Sequence, residues 1–418
     1  MKKGLQILSL FLFALSIMGK AQENAGLKLP AGFKASLFAD NIGSARHIAI
    51  TKSGVLFAKL NNPNKEGNSI VRLEDANHDG VAEKINGWAK YGGTGIYIKG
   101  NSLYASSNEA IFKYDLNSQD EVVNPLTPLT VVSGLIDRRE HNSKSITLDM
   151  ANNIYVNIGA YSNACQEKNR MPGSQGMKPC PILDSAGGIW KFDGSKQNQT
   201  YKDGKRYATG LRNVIGLDWN TQTNQLFVAQ HGRDQLNSFY PNLYTDAQNA
   251  ELPAETFYAI NEGDNAGWPY VYYDPSQHKK IVSPEYGGDS KKEGSAEFKD
   301  PAVAFPAHMA PMGVLFYTGD QFPAKYKNGA FISFHGSWNR APLPQEGFFV
   351  AFVPFKDGKA TGEWEIFANG FAGMEDGVKV TNTGKAKARP CGLALGPDGS
   401  IYVSDDTKGA IFKISYNK

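Results

Sequence analysis

A six-bladed, all-β propeller is the fold class that this 418-residue sequence predicts, on three observations. One phrase recurs six times: an apolar strand, a turn holding Gly, Asn or Asp, a second strand ending in Val or aromatics, a polar turn and a third strand. No long stretch keeps apolar residues at i, i+3, i+4 and i+7 between caps, as an amphipathic helix would. Two segments, 159–187 and 230–310, are too long for plain turns and have the length at which loops usually carry function. In a propeller such loops gather on one face, over the central channel.

The first copy takes residues 47–50, turns at Lys52-Ser53-Gly54, continues through 55–58 and closes with 70–73. In the second, 95–98 turn at Gly100-Asn101 into 103–105, then 111–114. The third begins at 145–148, continues through 153–156 and closes after the first insertion with 188–192. Residues 216–219 open the fourth, which turns at Thr223-Asn224 into 226–229. The fifth is looser: 313–316, 329–333 and 349–352. The sixth is the clearest, with 392–395, a Pro397-Asp398-Gly399 turn, 401–403 and 411–414. Short β-branched and aromatic strands joined by hairpin turns mark an all-β chain. Six such modules fit radial repetition better than a sandwich, because each small sheet then buries both faces against its neighbours. A strand left over at 33–38 is expected to complete the last blade and latch the ring.

Ahead of the propeller domain, set at 22–418, stands a different pattern. Met1-Lys2-Lys3, an apolar run over 5–18 and Gly19-Lys20-Ala21 read as a secretory signal peptide at 1–21, so the mature protein is expected to be periplasmic or secreted. The run falls short of the roughly 20 residues a bilayer span needs, and no second one follows, which predicts no integral membrane segment in the mature chain. Lys2, Lys3 and Lys20 account for the whole formal charge of +3. A neutral mature domain carries no nucleic-acid footprint. An oxidising compartment permits disulfides; Cys165 and Cys180 flank a loop rich in Gly, Pro and Met and are expected to pair, leaving Cys391 as a buried free thiol.

Asp75, Asn77, Asp79, Gly80 and Glu83 set oxygen ligands at alternate positions around a glycine, the chemistry a structural Ca²⁺ needs, although the acid stands at the ninth position rather than the twelfth of a standard EF-hand loop. Walker, zincin, nucleophile-elbow and dinucleotide motifs are absent, so chemistry must come from scattered blade-start residues. The polar segments there are Arg46-His47, Glu140-His141-Asn142-Ser143, Gly210-Leu211-Arg212-Asn213, Gln230-His231-Gly232-Arg233-Asp234, Phe334-His335-Gly336-Ser337-Trp338-Asn339-Arg340 and Ala388-Arg389-Pro390.

Gly210-Leu211-Arg212-Asn213, the His231-Gly232 turn, Asn265-Ala266-Gly267-Trp268-Pro269 and Arg389-Pro390 before a Pro-Asp-Gly blade resemble the soluble quinoprotein glucose/sorbosone dehydrogenases over about 29–414, with the 334–340 segment most similar to the sorbosone branch. That resemblance implies pyrroloquinoline quinone (PQQ) and Ca²⁺ at the channel mouth, a sugar, sugar aldehyde or polyol as donor, and a cytochrome or other electron acceptor. His141 matches the catalytic base, a role an imidazole near neutral pKa can fill, and Glu140 the acid beside it, on the substrate. Arg212, Asn213 and Arg389 match cofactor-binding positions, arginine suiting carboxylates by bidentate pairing. The backbone carbonyls of Gly232 and Arg233 match the cofactor's calcium ligands.

Departures accompany the match. His335 stands where glucose-oxidising members have a lysine, Cys391 where they have a second arginine, and the Tyr91-Gly92-Gly93-Thr94 turn lacks their sugar-binding glutamine. Arg46 and Arg340 are the cations that could compensate, and Trp338 could stack on a quinone or sugar face or lie in the core. Two other classes stay open: a non-catalytic carbohydrate- or protein-binding propeller, and a metal-dependent hydrolase. The hydrolase would need a ring of inward carboxylates that Asp218 and Asp398 do not supply.

Overall fold

The computed structural model describes residues 23–373 and 383–417; the leader expected at 1–21 lies outside them. Six sheets carry the chain, each built on four antiparallel strands, and in blade 2 the two residues Gln199–Thr200 add a short parallel fifth strand beside Leu129–Ser133. Blade 1 is built from Ala45–Ile50, Leu56–Leu60, Ile70–Glu74 and Lys84–Trp88, blade 2 from Ile96–Lys99, Ser102–Ser106, Ile111–Asp115 and Leu129–Ser133. Blade 3 follows with Ile146–Leu148, Asn153–Ile158, Gly188–Asp193 and Lys205–Thr209, and blade 4 with Val214–Asn220, Gln225–Gln230, Glu255–Ile260 and Val303–Phe305. Blade 5 takes Pro311–Phe316, Ala330–Phe334, Phe349–Val353 and Glu365–Ala368. In blade 6, Pro390–Leu395, Ile401–Asp405 and Ile411–Tyr416 are completed by Phe33–Ala39, paired antiparallel with Ile411–Tyr416. That is the expected latch.

The innermost strands close a ring, each lying against the next, and Pro390–Leu395 returns against Ala45–Ile50. Apolar side chains on both faces of each sheet form the inter-blade cores, as alternation along a twice-buried strand requires. Where innermost strands meet, side chains leave no room. A Cβ on Gly392 would come within 2.5 Å of the Arg46 carbonyl oxygen of the next blade. Ser404 Oγ donates to that same oxygen (2.5 Å), and Ser106 Oγ makes the equivalent bond from blade 2 to Lys144 of blade 3 (2.5 Å).

A meander that starts at one end of the ring returns to that end after its second strand. The starts of the innermost strands and the loops joining second to third strands therefore share one face, the mouth. Residues 159–187 lie there as expected. The second insertion is shorter than the sequence suggested: Glu255–Ile260 and Val303–Phe305 belong to blade 4, and Val271–Asp274 pairs with Lys279–Val282 as a hairpin between them. Residues 263–266 climb the outer edge of blade 3 toward the mouth, pairing with Tyr207 and Thr209. Two short helices, Leu236–Phe239 and Asp246–Glu251, lie in the 231–254 loop.

Candidate active site

His141 sits in the loop that feeds blade 3, in the left-handed region at φ 52°. A Cβ on Gly159 would lie 2.5 Å from its carbonyl oxygen and 3.2 Å from Asn213 Oδ1, so the bare glycine lets both residues close on the strand end. Its Nδ1 meets the Ala160 carbonyl at 2.5 Å. A carbonyl only accepts, so Nδ1 carries the proton and Nε2 keeps its lone pair. Burial first, then the positive charge of Arg212, holds the His141 pKa below the ordinary imidazole value. The ring is a neutral proton acceptor.

Arg212 is buried, with its guanidinium spread over one oxygen cage: Asn163 O (3.2 Å), Asn163 Oδ1 (3.0 Å), Gly232 O (2.7 Å) and Asp234 Oδ2 (2.8 Å). Asp234 also meets Arg170 (3.2 Å) and accepts from Asn339 Nδ2 (2.7 Å), with His308 Nδ1 at 3.9 Å. Burial alone would raise its carboxyl; Arg212 leads the cations that hold it ionised, well below the usual range. The Gly232 carbonyl, matched above to calcium, thus already accepts from Arg212. Arg233 turns its side chain away into a buried pair with Glu285 (2.5 Å). Beneath the turn, Glu255 accepts from the backbone N–H groups of Gly232 (2.9 Å) and Ala310 (3.3 Å), and burial pushes its carboxyl up to about 8.

Across the mouth, Asp406 joins two blades. His335 Nε2 lies 2.5 Å from its Oδ1 and Arg46 Nε 2.9 Å from its Oδ2. Arg389 donates through Nε to the His335 carbonyl (2.9 Å) and through Nη2 to the Gly336 carbonyl (2.5 Å). Asn213 Oδ1 and Asn339 Oδ1 are buried without a hydrogen-bond partner in the protein, so each can accept from a further group.

Glu140 stands beside His141 and pairs with Arg170 (3.2 Å) and Asn169 (2.8 Å), so it orders the loop that carries them. Trp338 is 63% exposed, which removes the core reading, while its neighbour Asn339 reaches Asp234. Arg340 is a strut rather than a clamp: buried, it binds the carbonyls of Ala250 and Ala307 and the carboxylates of Glu251 and Glu346. Cys391 is a buried free thiol within an innermost strand, and Tyr91 is tied to Tyr114 (2.7 Å). Cys165 and Cys180 form the expected disulfide, Cα–Cα 6.2 Å.

The 75–83 loop joins the third and fourth strands of blade 1 and so lies on the face opposite the mouth. There Asp75, Asp79 and Glu83 bring their oxygens within 4.8 Å, the one such group of three among the described residues. Asp398, weighed above as a ligand of a hydrolase-type ring, is used by the Ser400 turn (2.5 Å). No helix among the described residues is long and apolar enough to cross a membrane.

Asn163, Arg170, Asp234 and Asp406 are the site residues the sequence reading did not assign. Alternating polar residues in the Gln230-His231-Gly232-Arg233-Asp234 turn pointed toward Asp234 alone; nothing local marks the others.

Known proteins are similar to this chain in sequence and in architecture. A PQQ-dependent sugar dehydrogenase of Hypocrea jecorina is 25% identical over 77% of this chain and 73% of its own. A PQQ-dependent pyranose dehydrogenase of Coprinopsis cinerea is 23% identical over 96% of this chain, which spans 56% of that longer enzyme. The calcium structure of a Trichoderma reesei carbohydrate-active enzyme of family AA12 superposes with a TM-score of 0.75 at 19% identity, covering 94% of this chain and 97% of that one. For the holo PQQ domain of the Coprinopsis enzyme the TM-score is 0.70 at 20% identity, covering 93% and 97%. The TrAA12-like family model matches residues 27–417, and the chain belongs to that family.

Proposed function

We propose that the protein is a PQQ-dependent dehydrogenase of an aldose, sugar aldehyde or polyol, working in the cell envelope or outside the cell and passing electrons to a cytochrome or a similar acceptor. The observation that carries this reading is His141, whose Nδ1 is committed to Ala160 while Nε2 is left to accept a proton beside Arg212 and Asn213. The relatives named above support the cofactor.

The residues present fit a planar tricarboxylate quinone. Arg46 and Arg389 flank His335 and Asp406, Arg212 enters from blade 4, and Asn213 Oδ1 and Asn339 Oδ1 can each accept from a donor such as a ring N–H or a sugar hydroxyl. When bound, PQQ supplies the acceptor for a hydride from the sugar carbon. His141 takes the hydroxyl proton at Nε2, and the Ala160 carbonyl stabilises the resulting imidazolium at Nδ1. Arg389 and Arg46 orient carboxylates, and Trp338 offers an exposed ring face to the sugar.

Calcium belongs to the same reading, at the carbonyls of Gly232 and Arg233. Gly232 O would share its second lone pair with the cation while Arg212 keeps the first. The 75–83 loop is the place for a second, structural cation. One observation favours a non-catalytic binder instead: Asp234 and Asp406 already pair the site's cations internally.

Titration of the purified protein with PQQ, with Ca²⁺ or with EDTA, followed by absorbance and by dye reduction over a panel of aldoses and polyols, separates these. Stoichiometric binding with dye reduction is expected, and loss of both in EDTA would assign the metal to the cofactor site. No binding at micromolar PQQ would leave the binder.

A further inference from the structure

We propose that His335, held by Asp406, is the proton-taking cation of the mouth: it gains a proton when an anionic cofactor docks between Arg46 and Arg389, so cofactor affinity falls as pH rises. This rests on the PQQ reading above.

Among the described residues, the charges that face His335 come from blades 1, 4 and 6. Asp406 comes from the loop between the second and third strands of blade 6, Arg389 from the residue before that blade's first strand, Arg46 from blade 1 and His231 from blade 4. Asp405 is engaged by the Arg389 backbone N–H (2.7 Å), and the Cys391 thiol is buried and pushed up by that burial. The two arginines keep their charge at any working pH. Burial would raise the Asp406 carboxyl, yet His335, followed by Arg46, holds it down at about 2. Burial also depresses His231, to about 4, and its Nε2 is taken by the Pro311 carbonyl (2.8 Å).

That leaves His335 as the group in this cluster whose charge can change near neutrality. Burial, opposed by Asp406, sets its pKa below the ordinary imidazole value, so the ligand-free ring is neutral at pH 7. Carboxylates arriving beside Arg46 and Arg389 add negative charge and raise that pKa. The bound-state pKa then exceeds the free-state value. The coupling is fully present below the free-state pKa and is lost as pH rises through the bound-state pKa, by up to about tenfold per pH unit for one proton. Asp406 fixes the ring by its Nε2 contact, so protonation requires no movement.

The test uses the full-length mature protein and PQQ itself. Calorimetry at about pH 7 in buffers of different ionisation enthalpy reads protons taken up, and absorbance titration from about pH 5.5 to 8 reads Kd across the histidine range. The expected result is uptake approaching one proton per PQQ and a Kd that weakens with pH. His335→Lys, a fixed cation, should retain binding, lose the uptake and flatten the profile; His335→Gln should flatten it and bind more weakly throughout. A flat wild-type profile, or an uptake that persists in His335→Lys, overturns the inference while PQQ binding still stands. Absence of PQQ binding at every pH overturns both this inference and the function proposed above.

Discussion

His141 holds a left-handed backbone that costs an ordinary L-residue about 1–3 kcal/mol, and Arg170, Gln235 and His308 around the same mouth do likewise. Such strain persists only where surrounding contacts over-determine it, which here means the Ala160 carbonyl and the bare Gly159. Replacing His141 with Ala should lower kcat by roughly 10²- to 10⁴-fold while PQQ affinity and the melting midpoint stay near wild type. Steady-state kinetics beside a PQQ titration checks it; unchanged turnover would remove the residue from the mechanism. The acid limb of kcat/KM should lie below pH 6.5, because a base with a depressed pKa stays neutral further into acid and loses activity only as pH falls through that lowered value. Residues such as His141, Arg212 and Arg389 were legible in the sequence because each stands within a few positions of a recognisable blade start. Asn163, Arg170 and Asp406 were not, since Arg212, Asp234 and His335, which they respectively meet, lie 49 to 71 residues away and are brought near by how loops fold over one another.

Elements make those distances short. The 159–187 loop carries Asn163, which accepts from Arg212 twice and from Trp268 Nε1 (3.0 Å), and donates to the Asp234 carbonyl (3.0 Å). Two residues further on, the disulfide from Cys165 to Cys180 closes the loop on itself. Removing it with paired Cys165→Ser and Cys180→Ser substitutions should cost about 3 kcal/mol for a loop of this length, read by chemical denaturation. It should also weaken PQQ binding through loss of the Asn163 cage, an effect absent if the bridge serves stability alone. The first insertion and the disulfide were readable from composition, whereas the second insertion was overstated because it hid two strands of blade 4. Fourth strands were harder: Lys84–Trp88 is mostly exposed and lacks the apolar alternation that betrays the inner strands. The same outward position hid Val303–Phe305, three residues inside what looked like one long loop.

At the scale of the whole molecule, six repeats announced the ring, yet the mouth belongs to no single repeat. Blades 1, 3, 4, 5 and 6 each lend it a charged or polar side chain, so its geometry depends on closure. Phe33, in the latch strand, packs edge-on against Phe322, Tyr326 and Phe367 of blade 5 and against Tyr416 of blade 6, with centroids 4.7 to 5.4 Å away. Phe33→Ala should therefore destabilise the fold by about 3–5 kcal/mol, measured by thermal or denaturant unfolding. A cost under about 1 kcal/mol would mean that the ring does not rely on its latch.

The pairing of Phe33–Ala39 with Ile411–Tyr416 also orders events in time. A ribosome makes Phe33–Ala39 before the blades and Ile411–Tyr416 after five of them are complete, so the circle cannot shut until that later strand has emerged. Until that strand emerges, blade 6 is an open seam. Arg389 and Asp406 arrive with that final stretch. A product that stops early lacks both the seal and half of the anion site, and is exposed to proteolysis before it can bind anything.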